Sequence, residues 1–266
     1  MFGNFPKVRP PLPAEFAGIY AAHYKANREG STPASSLTQR MESWLHRKVA
    51  RDVRSDRSGK TTLEIGAGTL NQLQYEPAVG PYDIVEPFKA LYEGSGLLGR
   101  IRNIYSDIAE IPSEQHYDRI TSVATFEHIC NLPEVVARGG LLLTSPGVLR
   151  VSIPSEGTVL WTLGWKLTTG LEFRIRHGLD YGLLMRHEHV NTAGEVEEVL
   201  QYFFEKVECA VFGMSRRFSI YRFYACAGAE REKCRRYLAG VSSKAGAARE
   251  RSRLTANPEH RLQPLR

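Results

Sequence analysis

The chain has 266 residues, of which 42% are hydrophobic, 10% aromatic and 24% charged. This composition is typical of a globular protein and excludes a wholly disordered, collagen-like or disulfide-scaffold chain. The formal net charge of +6 lies entirely in residues 229–266, which hold ten basic and four acidic side chains, whereas the other 228 residues carry 25 of each sign. The sequence therefore predicts a neutral body with a basic tail, which is weaker evidence for nucleic-acid binding than a basic body.

Membrane, secretory and metal-binding features are not expected. The longest apolar stretches are interrupted and fall short of the ~20 residues that a membrane-spanning helix needs. The N-terminal sequence MFGNFPK lacks the apolar core of a secretory signal. The four cysteines, at positions 130, 209, 226 and 234, form no Cys-x-x-Cys pair and no short Cys/His ligand spacing, so they predict reduced thiols. We therefore expect a soluble cytoplasmic protein without a metal.

The N-terminal part of the chain predicts a helical cap over residues 1–58. Residues 1–13 are proline-rich and are expected to be extended. Apolar residues recur at helical spacing over 14–27 and again over 36–53, and the sequence GSTPA at 30–34 separates the two predicted helices.

From residue 62 the pattern changes to short apolar strands separated by helix-sized segments. Four strands are predicted at residues 62–65, 82–86, 103–107 and 117–123, and a helix follows from about Pro133. This alternation predicts βαβ units and a parallel sheet.

The fifth strand has two candidates. Residues 141–144 (LLLT) follow a Gly-Gly pair, while residues 148–153 (VLRVSI) follow Pro-Gly and end before Pro154. We favour the second candidate, because it is longer and contains more β-branched residues. We assign 141–144 to the end of the preceding helix.

The segment after the fifth strand predicts an insertion followed by a helix. Residues 155–190 have no clean period and are interpreted as an insertion or lid. Thr192 or Asn191 is expected to cap a helix that runs to about Phe203. Glu195 would complete a capping box if Thr192 is the cap.

The C-terminal part completes an α/β fold. Residues 204–212 and 219–227 predict an antiparallel hairpin, and a short charged helix and a polar tail follow. The predicted fold is a seven-stranded, mostly parallel sheet with a C-terminal antiparallel hairpin, helices on both faces and an N-terminal helical cap. Its predicted boundaries are 1–58 for the cap, 59–228 for the α/β domain and 229–266 for the basic tail.

A glycine turn after the first strand is the strongest local signal. The sequence LEIGAG places Gly66 and Gly68 where a strand turns tightly and brings backbone N–H groups close to a ligand. Glu86 closes the next strand, and an acid there can accept hydrogen bonds from ribose hydroxyls. A nicotinamide or flavin site would use the same elements, but Asn71 fits poorly where the dinucleotide fingerprint needs a third small residue. A purely structural turn and a solvated carboxylate are the other interpretations.

At these residues the sequence resembles the class I S-adenosylmethionine-dependent methyltransferases, which have a Rossmann-like fold. The resemblance runs in order over roughly residues 60–228. It rests on the closing hairpin and on six segments, namely Glu64–Asn71, Glu86, Ser106–Ile108, Thr125–Ile129, Val151–Pro154 and His189–Asn191. Two positions depart from the family pattern: Leu70 stands at the third glycine position, and Pro87 stands where an apolar side chain usually packs on the adenine.

The resemblance implies S-adenosylmethionine as the cofactor and S-adenosylhomocysteine (SAH) as its product. It implies that Glu86 binds the ribose and that Asp107 and Ile108 contact the adenine, with Phe88 replacing the missing apolar side chain. The residues expected to bind the cofactor are Glu64, Gly66, Ala67, Gly68, Glu86, Phe88, Asp107, Ile108 and Thr125.

The residues expected on the acceptor side come from the end of the fourth strand and from the insertion. A hydroxyl acceptor benefits from a general base. The candidate bases are His189, which matches a family position, then His128 as the alternative, and His187. Tyr24, Arg176 and Arg186 are candidate substrate contacts, the arginines for an anionic acceptor. Structural histidines and a solvated basic face are the alternative interpretations.

The sequence therefore predicts a methyltransferase that acts on an oxygen of a small molecule, such as a sugar or glycan intermediate. One alternative is an RNA or protein methyltransferase that uses the basic tail. Another is a catalytically inactive binding protein that keeps the cofactor fold. An NAD-dependent oxidoreductase is a third, disfavoured by Asn71. No membrane partner is expected.

Overall fold

The structure, a computed structural model, describes residues 2–16, 19, 36–54 and 58–256, and a seven-stranded sheet forms its centre. The strands are β1 (Thr62–Ile65), β2 (Tyr82–Val85), β3 (Asn103–Tyr105), β4 (Tyr117–Val123), β5 (Leu143–Pro154), β6 (Phe204–Gly213) and β7 (Ser219–Ala229). Their order is β3-β2-β1-β4-β5-β7-β6. β1 to β5 pair in parallel, and β7 runs antiparallel to both β5 and β6. The predicted mostly parallel sheet with a C-terminal hairpin is confirmed.

Helices cover both faces of this sheet, as predicted. They are α1 (Ser36–Val49), α2 (Leu132–Leu142), α3 (Val159–Trp165), α4 (Leu171–His177), α5 (Tyr181–Glu188), α6 (Ala193–Phe203) and α7 (Arg231–Ala256). On one face α2, α6 and the start of α7 pack on the sheet, and they bury Val136, Leu200 and Cys234 in the same core as Leu63 and Ile120. Helix α1 packs against β4, β5 and β7 on the other face.

A buried ion network fastens α1 to that second face. Arg119 and Ile120 are neighbours in β4, so their side chains point to opposite faces of the sheet. Arg119 is fully buried and makes two hydrogen bonds of 2.9 Å to the carboxylate of Glu76. It also contacts Asp52 at 3.0 Å and donates to the carbonyl oxygen of Val49 at 2.9 Å. Since Val49 ends α1, the guanidinium places a positive charge at the negative end of the helix dipole.

The connections before β2, β3 and β4 contain short 3-10 turns instead of the helices that their lengths suggested. These turns include Asn71–Gln74, Lys89–Leu91 and Ile108–Glu110. The first connection contains two prolines and the second three glycines, at positions 77, 81, 94, 96 and 99. Proline and glycine both disfavour helix interiors, so the predicted βαβ alternation is only partly realised on this side of the sheet.

Strand β5 begins earlier than the sequence suggested. Leu143 already pairs with Tyr117 of β4, ahead of a register shift in the pairing. Helix α2 ends at Leu142. Assigning 141–144 to the helix is therefore right for the first two residues and wrong for the last two. The last two belong to β5, which pairs with β4.

The segments that follow β5 and β7 are helical. Residues 155–190 form α3, α4 and α5, with a π-helical turn, Lys166–Gly170, between the first two. Thr192 caps α6, and Glu195 bonds back to the Thr192 backbone, so the predicted capping box is confirmed. Helix α7 spans 26 residues, where a short helix was predicted. None of the helices in the described part of the chain is long and apolar enough to cross a membrane.

An extended N-terminal strap, residues 2–13, lies beside α6 and α7, where the ring of Phe2 contacts the rings of Tyr202 and Tyr237. The backbone N–H of Lys7 donates to the carbonyl of Cys130 at 2.8 Å. Lys7 also forms an ion pair with Glu195 of α6. The strap continues into the 3-10 turn Ala14–Phe16. Apart from this turn and residue 19, the helix predicted over 14–27 lies outside the described residues.

Candidate functional site

The glycine turn lies directly after β1, at the carboxyl edge of the parallel strands. Gly66 and Gly68 have φ angles of 73° and 53°, which side chains with a Cβ rarely adopt. A Cβ on Gly66 would lie 2.2 Å from the side chain of Thr125. Leu70 also has a positive φ, 66°, and its side chain is fully buried. The turn therefore requires glycine at 66, and at 70 burial compensates for the strain.

Glu86, the first residue after β2, reaches across to this turn. Its Oε2 accepts a hydrogen bond from the N–H of Gly68 at 2.8 Å, and its Oε1 accepts one from the N–H of Phe88 at 3.0 Å. The side chain is 3% exposed. The acid and the glycine turn, which the sequence placed side by side, are in direct contact.

The side chain of Glu64, in β1, is buried on one face of the sheet. Its carboxylate accepts a hydrogen bond from the hydroxyl of Tyr82 at 2.9 Å and is 2% exposed. Burial raises the pKa of Glu64 to about 8, although the Tyr82 bond and Arg119 act in the opposite direction. Its described hydrogen bond is thus to a tyrosine rather than to the glycine turn.

The other residues expected to bind the cofactor are spread along the same edge. Thr125 donates to the carbonyls of Val123 at 3.0 Å and Gly66 at 3.3 Å, which ties the end of β4 to the glycine turn. Asp107 is exposed and accepts from a backbone N–H in its own turn, while Ile108 is buried. Ala67 is buried and Phe88 is 55% exposed. Phe88 therefore presents a ring surface beside Glu86.

A cluster of two imidazoles and one carboxylate lies next to Thr125. We call Glu127, His128 and His189 the His–Glu cluster; the rings of the two histidines meet edge to face with centroids 4.8 Å apart. Nδ1 of His189 lies 2.8 Å from Oε2 of Glu156. The indole nitrogen of Trp161 donates to the same oxygen at 2.5 Å. Glu156 thereby fixes the orientation of the His189 ring.

His128 is held from the other side. Its Nδ1 lies 2.9 Å from the carbonyl oxygen of Glu188, and its Nε2 lies 3.8 Å from Oε1 of Glu127. Burial lowers the pKa of His128, but the hydrogen bond to Glu188 and the charges of Glu127 and Glu188 outweigh it. The pKa of His128 is therefore raised above its ordinary value.

Arg9 and Asn191 join the segments that carry the cluster, a role that the sequence analysis did not assign to them. The guanidinium of Arg9 donates to the carbonyls of His128 at 2.7 Å, His187 at 2.8 Å and Glu188 at 3.0 Å. The buried amide of Asn191 donates to two carbonyls of the loop after β4, each at 2.8 Å. Both side chains bond backbone oxygens, which is a long-range relationship that local sequence patterns do not reveal.

The remaining candidates lie elsewhere. Nδ1 of His187 lies 2.7 Å from the carbonyl oxygen of Pro10 in the strap, and His187 is not part of the His–Glu cluster. Arg176 and Arg186 are exposed and lie 3.4 Å and 3.9 Å from carboxylates of their own segment. Tyr24 lies outside the described residues.

No family model and no curated protein matches this sequence, but solved structures match the fold. The chain is similar to the plantazolicin methyltransferase BpumL in complex with SAH, with a TM-score of 0.55 and 12% identity over 81% of this chain and 93% of that one. For BpumL with a monoazolic desmethylPZN analog and SAH, the TM-score is 0.55, with 14% identity over 79% and 90%. A SAM-dependent methyltransferase from Thermotoga maritima gives a TM-score of 0.50, with 11% identity over 80% and 98%. The chain thus has the Rossmann-like fold of class I methyltransferases.

Proposed function

We propose that this protein is an S-adenosylmethionine-dependent methyltransferase that acts on an oxygen of a small molecule, such as a sugar or glycan intermediate. The contact between Glu86 and Gly68 carries the proposal, since it joins an acid after β2 to the glycine turn after β1. Open α/β sheets bind ligands at this edge. The fold neighbours solved with SAH support the same cofactor.

The cofactor would lie across the carboxyl ends of β1, β2 and β3. Glu86 would accept the ribose hydroxyls with the lone pairs that its two backbone bonds leave free. Gly66 and Gly68 would let the methionine part approach the backbone closely. Asp107 and Ile108 would border the adenine, with the exposed ring of Phe88 packing on it.

The acceptor would bind at the His–Glu cluster. Thr125 touches Gly66 and precedes Glu127 by two residues, so the cluster borders the place proposed for the sulfonium. The sulfonium makes its methyl group electrophilic, and holding an oxygen in line with it can contribute up to ~7–11 kcal/mol. The oxygen–methyl bond forms while the methyl–sulfur bond breaks and SAH leaves.

We propose that His189 takes the acceptor proton when no metal ion is bound beside it. Glu156 holds Nδ1 of His189, which leaves Nε2 for the hydroxyl. A base of this kind contributes ~10²–10⁴-fold to the rate. His187 and the two arginines have no described contact with the cluster, so their roles stay predictions.

Calorimetry with SAH, S-adenosylmethionine and NAD⁺ tests the cofactor class. We expect both adenosyl compounds to bind, and SAH at 100 times its dissociation constant to add ~2.7 kcal/mol to stability in a thermal melt. Binding of NAD⁺ alone, or of none of the three, would contradict the proposal.

A screen that follows SAH release tests the acceptor. Hydroxylated small molecules, amines, peptides and RNA are offered to the full chain with S-adenosylmethionine. We expect release with a hydroxyl acceptor and a methyl ether as product. Turnover restricted to amines would overturn the assignment to oxygen. Turnover restricted to peptides or RNA would overturn the assignment to a small molecule, and either result would leave the cofactor assignment standing.

A further inference from the structure

Three potential metal ligands meet beside the glycine turn. Glu127 and His128 follow β4, His189 follows α5, and one potential ligand atom of each lies within 4.8 Å of the others. The sequence predicted no metal, because ligand spacing reveals only sites whose ligands are close along the chain. The fold brings together two segments that are far apart in sequence.

Glu127 has a carboxylate oxygen that needs a partner. Its side chain is 2% exposed, and its Oε2 is buried without a hydrogen-bond partner in the described part of the chain. Burying a carboxylate oxygen without compensation is costly. A cation at this position would satisfy that oxygen. The buried acceptor atom is thus an observation independent of the spacing of the three side chains.

Both imidazoles are held by their Nδ1 atoms. Nδ1 of His128 faces the carbonyl oxygen of Glu188, which can only accept, so in the neutral ring Nδ1 carries the proton and Nε2 keeps its lone pair. Nδ1 of His189 likewise faces the carboxylate of Glu156. Metal-binding histidines typically donate their second N–H to a carbonyl or a carboxylate in this way. The outer partners of a metal site are therefore already present.

We propose that Glu127, His128 and His189 bind a divalent transition-metal ion of the Zn²⁺ type through one carboxylate oxygen and two imidazole nitrogens. Two ligands of one tetrahedral zinc ion are ~3.4 Å apart if each bond is ~2.1 Å. Nε2 of His128 and Oε1 of Glu127 are already 3.8 Å apart. The three ligand atoms lie within 4.8 Å of one another, so side-chain movements of about 1 Å would bring them to this spacing, and a fourth ligand from outside these three side chains would complete the tetrahedron.

The catalytic role of this ion rests on the proposed function. An acceptor hydroxyl bound at the open position becomes more acidic, as does water bound to zinc. Its proton passes to water, and the metal-bound oxygen then takes the methyl group from the sulfonium. In the metal-bound protein His189 is a ligand, and the ion performs the activation that we assign to His189 in its absence.

Zinc titration of the full chain tests the site. The protein is treated with a chelator, dialysed and titrated with ZnCl₂ in a calorimeter, and Co²⁺ serves as a spectroscopic probe of four-coordination. We expect one ion per chain and visible absorption bands of tetrahedral Co²⁺. In Glu127→Gln and in His189→Gln we expect binding to weaken at least ~10-fold, because each variant replaces a ligand and the loss of even an outer partner typically costs ~10–100-fold. His116→Gln, which changes an exposed histidine elsewhere, should bind as the unaltered chain does.

Each outcome decides the proposal. Absence of Zn²⁺ binding to the unaltered chain would overturn it. The proposal would also be overturned if Glu127→Gln and His189→Gln bound Zn²⁺ as tightly as the unaltered chain while circular dichroism showed both to be folded. SAH binding is measured in parallel. Failure of SAH binding with intact zinc binding would contradict the proposed function alone. Undiminished methyl transfer by the chelated chain would remove the catalytic role of the ion.

Discussion

The carboxylate of Glu86 lies 2.8 Å from the backbone nitrogen of Gly68, so the end of β2 is bonded to the turn after β1. The two residues follow different strands; Glu86 is buried and Gly68 is partly buried. This bond orients the acid before any ligand binds. Pre-orientation of this kind reduces the entropy lost on binding.

Replacing Glu86 tests whether this edge binds a ribose. Glu86→Ala removes charge-assisted hydrogen bonds worth ~1.5–3 kcal/mol each before water compensates. We expect the affinity for SAH to fall at least ~10-fold, since a factor of ten corresponds to ~1.4 kcal/mol. Glu93→Ala, at a nearby exposed acid, is the matched control and should bind normally. Unchanged affinity of Glu86→Ala in calorimetry would refute the ribose assignment.

Gly66→Ala tests the close approach of β4 to the glycine turn. The new Cβ would lie 2.2 Å from the Thr125 side chain at a φ of 73°, so the turn or Thr125 must move. We expect the free energy of unfolding to fall by ~1–3 kcal/mol and SAH affinity to fall with it. Gly94→Ala has nothing within 4 Å of its Cβ and is the control. Equal melting temperatures for the two variants would show that the turn is not constrained.

Glu64 predicts a pH dependence of stability. Its folded pKa is about 8, above the ordinary 4.5, because burial disfavours the charged form. The folded state therefore holds the proton more tightly than the unfolded state, and stability falls as pH rises from about 4.5 to about 8. At ~1.4 kcal/mol per pKa unit, the loss amounts to a few kcal/mol. Glu64→Gln should flatten urea-denaturation stability over this range, whereas Glu93→Gln should retain the slope. A slope that survives in Glu64→Gln would assign it to another group.

The sequence predicted features that local chemistry controls and missed those that depend on long-range packing. The glycine turn and the Thr192–Glu195 capping box each occupy a few adjacent residues, and both were found. His128 and His189 were each singled out, but the segments that carry them are joined by Arg9 and Asn191, whose described side-chain bonds are to backbone oxygens. Periodicity carries no information about such bonds.

The buried network of Arg119 shows the same limit. An arginine in a strand is usually read as solvent-facing, because charged residues are rarely buried unless paired. Its partners, Glu76 and Asp52, lie in two other segments of the chain. The start of β5 escaped prediction for a related reason, because pairing of Leu143 with Tyr117 outweighs the local helical pattern.

The C-terminal helix has a first part that packs against the core, up to about residue 240, and a basic remainder. Cys234 is fully buried, and Tyr237 and Leu238 pack against the core. Deleting residues 231–266 should therefore lower the free energy of unfolding by several kcal/mol, at ~25 cal/mol per Å² of apolar surface. Deleting only 241–266 should change the melting temperature by less than about 2 °C and leave SAH binding intact. A large loss of stability in the shorter deletion would contradict this division.

The shorter deletion also tests the alternative that the basic tail binds RNA. Binding through the tail's basic side chains should weaken steeply with salt, because phosphate contacts release counterions. A filter-binding assay at 50 and 200 mM salt compares the full chain with the chain that lacks 241–266. We expect neither to show salt-sensitive RNA binding. Tight, salt-dependent binding that the deletion abolishes would favour an RNA methyltransferase.

The three candidate histidines should not contribute equally to the turnover number. His189 and His128 meet at the cluster, whereas Nδ1 of His187 bonds the carbonyl of Pro10 in the strap. Gln keeps the polarity of histidine but can neither take up a proton at neutral pH nor bind a transition metal well. We expect His189→Gln to lower the turnover number by ~10²–10⁴-fold, His128→Gln to lower it substantially, and His187→Gln to leave it near normal.

The dissociation constant for SAH should change little in all three variants, since the described bonds of these histidines do not reach the glycine turn or Glu86. Single-turnover measurements with an identified acceptor would separate a slower chemical step from weaker binding. If all three variants keep near-normal turnover, neither a histidine base nor a metal held by these side chains activates the acceptor. The enzyme would then work by positioning alone.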